Sequence, residues 1–222
     1  MRLTSHFRLL ALAAAATMLA GCATLPPKMD YTAFRQSHPR SILVLPPVNN
    51  SPDVNATFSM YAQVTQPLAE AGYYVLPVSL VNETFKQNGL SSPAEIQAVA
   101  PAKLQEIFGA DAGLYLTVTR YGSTYAVFNS VAVVSADAKL IDLKSGTLLW
   151  TGSATASNDE GNNNGGGGLA GMLVAAVVKQ ILNNVTDASH PVAGMTSQRL
   201  LSPHYNGLLY GPRSPLYGKD KD

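Results

Sequence analysis

The sequence predicts an α/β (α+β) fold: a single mixed β-sheet with parallel crossovers first and an antiparallel three-strand meander after, helices packed on it. Three observations carry this. Two β-branched runs of strand length alternate with stretches of helical periodicity, which implies parallel crossovers. Three further apolar runs follow with only short turns between them, which implies antiparallel neighbours. And 222 residues with 46% hydrophobic and 13% charged content can enclose one genuine core.

In chain order, residues 1–21 read as a signal peptide. Arg2 and Arg8 are its only charges, and Leu9 to Ala16 is apolar but shorter than the roughly 20 residues a membrane span requires. Leu19-Ala20-Gly21-Cys22 then places small residues before a cysteine, the pattern of a bacterial lipobox. In that chemistry the Cys22 thiol takes a diacylglyceryl group, the chain is cut before it, and the new amine is acylated. Burial of the acyl chains, about 0.8 kcal/mol per CH₂, makes release from a membrane negligible when several chains act together. Ala23, in place of the Asp that usually marks inner-membrane retention, points to the outer membrane.

Residues 22–40 contain Pro26-Pro27 and no periodic apolar pattern, so they read as a lipidated tether. As a flexible coil, about 19 residues reach roughly 25 Å. Residues 41–200 form the predicted domain. Ser41 to Leu45 is a buried strand stopped by Pro46-Pro47. A helix opens at Ser51-Pro52-Asp53, with Val54, Phe58, Tyr61, Val64 and Leu68 on one face, a kink at Pro67 and an end at Gly72. Tyr73 to Val78 is the second strand. Ser79 caps a helix through Phe85, closed by Asn88-Gly89. Ser92-Pro93-Ala94-Glu95 is a capping box, and Pro101 restarts a helix whose face is Leu104, Ile107 and Phe108 and whose stop is Gly109.

The three strands of the meander are Leu114–Tyr121, Tyr125–Leu143 and Thr147–Ala156, turned at Gly122-Ser123 and at Lys144-Ser145-Gly146, where Asp142 shapes the reversal. The middle run exceeds an ordinary strand, so a bulge or bend is expected near Ser135–Asp137. A polar Gly-rich loop, Asn158 to Gly168, leads to an apolar helix from Leu169 to Leu182 whose only charge is Lys179. An all-round apolar helix is buried either in the core or at an interface. Residues 201–222 form a tail rich in Pro, Gly and Tyr, read as a solvated extension or as a docking strip through Tyr210 and Arg213.

Composition excludes several functions. With 15 Lys+Arg against 14 Asp+Glu the chain has no basic surplus for nucleic acid, and losing Arg2 and Arg8 with the signal turns +1 into −1. One cysteine excludes an intramolecular disulfide framework and multi-Cys metal sites. Gly166, Gly168 and Gly171 match a dinucleotide fingerprint, but an Asn-rich loop stands where the preceding strand belongs. His38, His190 and His204 sit in expected loops without metal spacing, and no serine lies in a G-x-S-x-G elbow. Glu83, Glu95, Glu106 and Asp111 are explained by capping and solvation. The expectation is therefore no enzyme, no cofactor and no metal. Candidate interface residues are Leu169, Gly171, Leu173 and Val177, with Tyr210 and Arg213 in the tail.

The runs Ser41–Ser51, Pro67–Val78, Ile107–Ala112, Leu140–Gly146 and Leu208–Pro215 resemble a family of Gram-negative outer-membrane lipoproteins of unassigned function, across nearly the whole mature chain. The family looks like distant kin of the curli-secretion lipoprotein CsgG and the amino-terminal domain of TolB. That resemblance implies a mixed α/β sandwich acting by assembly with envelope partners, as a homo-oligomer or with CsgG-like lipoproteins. The chain lacks an obvious membrane-crossing hairpin pair like that of the curli pore, which argues against forming a channel alone. The expected function is thus an assembly or transport accessory anchored to the outer membrane through Cys22 and facing the periplasm. The alternative is a ligand-binding module or a hydrolase acting on cell-envelope material.

Overall fold

A computed structural model describes residues 29–126, 129–159, 187–204 and 206–220. The elements, in order, are α1 (Thr32–Ser37), β1 (Ser41–Val44), β2 (Val48–Asn49), α2 (Ala56–Gln63), α3 (Thr65–Glu70), β3 (Tyr74–Val75), α4 (Val78–Gln87), α5 (Pro93–Gln97), α6 (Pro101–Phe108), β4 (Ala112–Ala126), β5 (Asn129–Asp142), β6 (Leu148–Ser157) and α7 (Ser189–Leu201). The six strands make one sheet in the order β3-β1-β4-β5-β6, with β2 also pairing to β4. β1 is parallel to β3 and to β4, whereas β4, β5 and β6 are antiparallel. The mixed sheet read from the sequence is the sheet observed.

The alternation of β5 shows why the sheet has one dry face here. Ala132, Val134, Ala136, Ala138 and Leu140 are buried, and the residues between them are not. This dry face joins Ile42, Val44, Leu114, Leu116 and Trp150 to Met60 and Tyr61 of α2, Leu68 of α3, and Val192, Ala193, Leu200 and Leu201 of α7. On the opposite face the described residues cover β1 and the start of β4. There Leu43, Leu45, Tyr115 and Leu143 meet Val81 and Phe85 of α4, Ile96 of α5 and Leu104 of α6. Each of these fully buried aliphatic side chains is worth about 2 kcal/mol.

Several elements differ from the expectation, each for a local reason. The first helix starts at Ala56, leaving Val54 84% and Phe58 62% exposed; its buried positions are Ala56, Ser59, Met60 and Tyr61. It breaks at Val64 rather than at Pro67, which instead lies inside α3. The second strand shrinks to Tyr74–Val75 because α4 already begins at Val78, so Ser79 caps nothing. α5 begins at Pro93 as expected, without a side-chain capping bond from Ser92. In α6 only Leu104 is buried, Phe108 is half-buried against Phe85, and Ile107 is 48% exposed. Gly109 does end that helix, in the left-handed conformation.

Gly122-Ser123 does not turn. β4 runs on to Ala126, with Gly122 opposite Val133 and Ser123 opposite Ala132. The expected irregularity sits at the expected level but on the neighbouring strand: Val118 faces Ala136 and Arg120 faces Ser135, so Thr119 is the extra residue. The turn after β5 is built as foreseen. Asp142 Oδ1 accepts from Ser145 N–H at 2.7 Å and from Ser145 Oγ at 2.9 Å.

Two stretches without an apolar pattern in the sequence are in fact part of the core. Within the stretch read as a flexible tether, α1 buries Tyr31 and Phe34, whose rings meet edge to face at 6.3 Å. Its C-terminal Ser37 Oγ donates to Asp142 Oδ2 at 2.5 Å. In the tail, Leu208 and Leu209 are buried. The apolar stretch Leu169 to Leu182 lies outside the described residues.

Candidate functional site

The first described residues, Met29 to Tyr31, meet the start of the tail at one pole of the sheet, beside the β5–β6 turn. Tyr31 hydroxyl donates to Gly207 carbonyl at 2.5 Å, and Met29 N–H donates to Asn206 Oδ1 at 2.9 Å. Asn206 carbonyl in turn accepts from the Trp150 indole at 3.2 Å. Asn206 has φ +57°, a left-handed conformation that asparagine tolerates better than most residues. One residue thereby ties the N-terminal exit, the sheet and the tail together.

From there the tail runs along the segment that leads into β3. Tyr73 hydroxyl donates to Leu209 carbonyl at 2.6 Å; burial pushes its phenol pKa up, and the charges of Asp220 and Tyr217 add to the effect. Gly211 N–H donates to Ala71 carbonyl at 2.8 Å and Arg213 N–H to Gly72 carbonyl at 3.0 Å. This approach requires glycine on both sides. A Cβ on Gly72 would lie 2.4 Å from Ser214 N, and one on Gly211 would lie 2.6 Å from the Gly72 carbonyl carbon. Tyr210 N–H donates to Asp220 Oδ1 at 2.8 Å, and the Arg213 guanidinium stacks 5.1 Å from the Tyr74 ring centroid. The sequence suggests a solvated extension or a docking strip for a partner; the tail from Asn206 to Ser214 lies instead against its own domain.

A second polar group lies toward the far end of the sheet. Ser59 Oγ stands 2.7 Å from His190 Nδ1, and His190 Nε2 stands 2.9 Å from Gln63 Nε2. Tyr121 hydroxyl donates to Asp187 Oδ2 at 2.5 Å, with burial the first cause of its raised pKa and the Asp187 bond the next. The sequence reading placed His190 in a loop; it lies in the first turn of α7. A serine–histidine contact invites a nucleophile–base reading, but the surroundings oppose it. Ser59 is 7% exposed in the middle of α2, and its N–H is spent on Asn55 carbonyl at 2.9 Å instead of lining an oxyanion site. The group braces α2 against α7.

The other face of β4–β6, which no described residue covers, carries Thr117, Thr119, Asp137, Lys139, Thr151 and Ser153 around a cleft of about 610 Å³. Asp111, expected to serve capping and solvation, pins the start of β1: its Oδ2 accepts from Arg40 N–H at 2.9 Å, Ser41 N–H at 3.0 Å and Ser41 Oγ at 2.9 Å. His38 ends α1 beside the Tyr217 hydroxyl, and His204 contacts Ser202 carbonyl. Among the described residues no three His, Cys, Asp or Glu side chains converge as a metal site, and no helix is long and apolar enough to cross a membrane. Cys22, Leu169, Gly171, Leu173 and Val177 lie outside the described residues, as does the G-x-G-x-x-G run.

Sequence reasoning also missed α7 entirely. Its buried positions Val192, Ala193, Thr196, Ser197, Leu200 and Leu201 do recur at helical spacing, but half of them are small or polar. Thr196 Oγ1 finds Val134 carbonyl at 3.1 Å and Val192 carbonyl at 2.9 Å, which is how a hydroxyl is accommodated in the core.

Comparison with known proteins gives a consistent answer. A family model described as "Putative lipoprotein GNA1162-like" matches residues 29–213. A Neisseria meningitidis serogroup B protein named "Putative lipoprotein NMB1124/NMB1162" is 52% identical over 206 residues, covering 92% of this chain and 95% of that one. The crystal structure of lipoprotein GNA1162 from Neisseria meningitidis superposes with a TM-score of 0.52 at 57% identity, covering 65% of this chain and 99% of that one. A PelC dodecamer from Paraburkholderia phytofirmans aligns at 15% identity and a TM-score of 0.42, covering 82% of this chain and 96% of that one. That score is too low to bear on this protein.

Proposed function

The chain belongs to the GNA1162-like family, and on that footing we propose that it is a lipoprotein acylated at Cys22, anchored in the outer membrane and facing the periplasm. It acts without catalysis as an assembly or transport accessory, associating with itself or with other envelope lipoproteins. The distant kinship with CsgG and TolB belongs to this reading. The observation that carries it is the position of the only cysteine: it directly follows Leu19-Ala20-Gly21 and an apolar run of signal length, in a chain whose relatives are named lipoproteins. The family gives the envelope setting. The accessory role is supported by a fold whose polar groups serve as braces and clasps.

The test is mass by light scattering, for the mature domain alone and for the lipidated protein purified from membranes. The proposal expects an assembly larger than a monomer, or a stoichiometric envelope lipoprotein retained with it. A strictly monomeric, partnerless protein in both preparations would overturn it. The Ser59–His190 contact gives the hydrolase alternative its one specific observation. A fluorophosphonate probe should leave Ser59 unlabelled, and labelling that disappears in Ser59→Ala would favour hydrolysis.

A further inference from the structure

We propose that the pole where Met29 to Tyr31 meet the start of the tail faces the lipid headgroups, and that Asn206 is the residue that fixes it there. The inference rests on acylation of Cys22 and on where the folded chain begins. Met29 is tied down by Asn206, and only six residues lie between it and Cys22. The seven Cα–Cα steps from Cys22 to Met29 span at most about 24 Å when fully extended and about 15 Å as a flexible coil. The polar layer of one leaflet occupies several ångströms of that reach. So short a leash leaves the tied pole little room to leave the surface.

The direction of the strands then sets what points away. Trp150, which donates to Asn206, lies opposite Leu140 on β5; Val134, six residues earlier on β5, lies opposite Tyr121. At about 3.4 Å per residue those six residues put the Tyr121 level some 20 Å farther from the clasp. That level borders a cleft shared with Asp53, adjacent to the exposed Val54, and beyond it β4 and β5 continue to Ala126 and Asn129. The occupant of the clasped pole is the lipid surface, and the far pole is the one offered to partners in the periplasm.

Two bonds hold the leash short, Met29 N–H to Asn206 Oδ1 and Tyr31 hydroxyl to Gly207 carbonyl, while the Trp150 indole holds the Asn206 backbone carbonyl to the sheet. Opening these two bonds frees Met29, and the tether then lengthens by two residues to position 31, whose ring stays packed against Phe34 in the core.

The experiment uses the full, processed protein in liposomes containing a lipid with a nitroxide on its headgroup, which quenches only at short range. A fluorescent non-canonical residue is placed at Lys144, an exposed position in the turn at the clasped pole, or at Val54, at the far pole. Lys144 should be quenched strongly and Val54 weakly. In the double variant Tyr31→Phe, Asn206→Ala, shown by its thermal melt to be folded, quenching at Lys144 should fall toward the Val54 level. An acylated wild-type protein quenched equally at both positions would overturn the orientation. A folded double variant with unchanged contrast would overturn the role of Asn206. Intact mass reads the anchor separately: a chain without acyl groups would overturn the anchor itself, and the orientation with it.

Discussion

Replacing Gly72 by alanine tests the docking of the tail at its tightest point. Gly72 has φ +98°, and an added Cβ would lie 2.4 Å from Ser214 N, 2.8 Å from Ser214 Cβ and 2.9 Å from Gly211 carbonyl oxygen. The backbone conformation alone costs an L-residue about 1–2 kcal/mol. The contacts are with backbone atoms, which cannot rotate away, so keeping the tail in place adds overpacking of about 1–3 kcal/mol. Releasing the tail instead exposes Leu208 and Leu209, at about 1.5–3 kcal/mol each, partly offset by the freedom the segment regains. Either route gives a loss of about 3 kcal/mol, which lowers Tm by about 6–12 °C in a domain of this size.

Gly146→Ala is the matched control. Its φ is +74°, but nothing lies within 4 Å of the added Cβ, so only the backbone cost of about 1 kcal/mol remains. Thermal denaturation followed by circular dichroism measures both shifts, and limited trypsin digestion reports whether the backbone at Arg213 has come free. Gly72→Ala should show the larger drop and faster cleavage after Arg213. Equal Tm shifts in the two variants, with Arg213 equally resistant, would refute the reasoning.

Asp142 supplies an acid-side prediction. Burial raises its carboxyl, but hydrogen bonds from Ser37, Ser145 and Lys144 outweigh that and hold it below the usual carboxylate range. Its stabilisation is therefore fully present above about pH 4 and lost as pH falls through the lower folded value. Asp142→Asn should cost about 1 kcal/mol in urea melts at neutral pH and lose part of the acid dependence; an identical pH profile would contradict this. On the alkaline side, burial raises the phenols of Tyr61, Tyr73 and Tyr121, so stability is full below about pH 10 and falls as the pH climbs through that value toward the folded ones. Absorbance at 295 nm should show some of the ten tyrosines ionising only as structure is lost, and all ten titrating together in the folded protein would count against it. Thr196→Val, which removes the buried hydroxyl bonded to Val134 carbonyl, should lower the urea midpoint by the equivalent of about 1 kcal/mol; an unchanged midpoint would show that bond to be idle.

Where the sequence spoke through strong local chemistry, it was legible. Ser41–Leu45 stopped by Pro46-Pro47, Gly109 after a helix, and Asp142 before Lys144-Ser145-Gly146 each have a short-range cause, and each is found in place. Where the outcome depended on tertiary partners, it was not. Val54 and Phe58 fit a helical stripe, but the chain enters α2 only at Ala56, and the small residues Ala56 and Ser59 take the inner face. Gly122-Ser123 has turn composition, yet β5 pairs straight through it because the hairpin turn falls farther along the chain. α7 was invisible because Ala193, Thr196 and Ser197 face the core through close packing and hydrogen bonds instead of bulk. The clasp at Asn206 joins residues 177 positions apart, a relation that no local pattern contains.

Anchoring of this protein in a membrane depends on Cys22. Metabolic labelling with an alkyne-bearing fatty acid in a bacterial envelope should mark the wild-type chain and leave it in the membrane fraction after high-salt washing. Cys22→Ser should take up no label and leave that fraction. A Cys22→Ser chain labelled as strongly as wild type would contradict the account at its root.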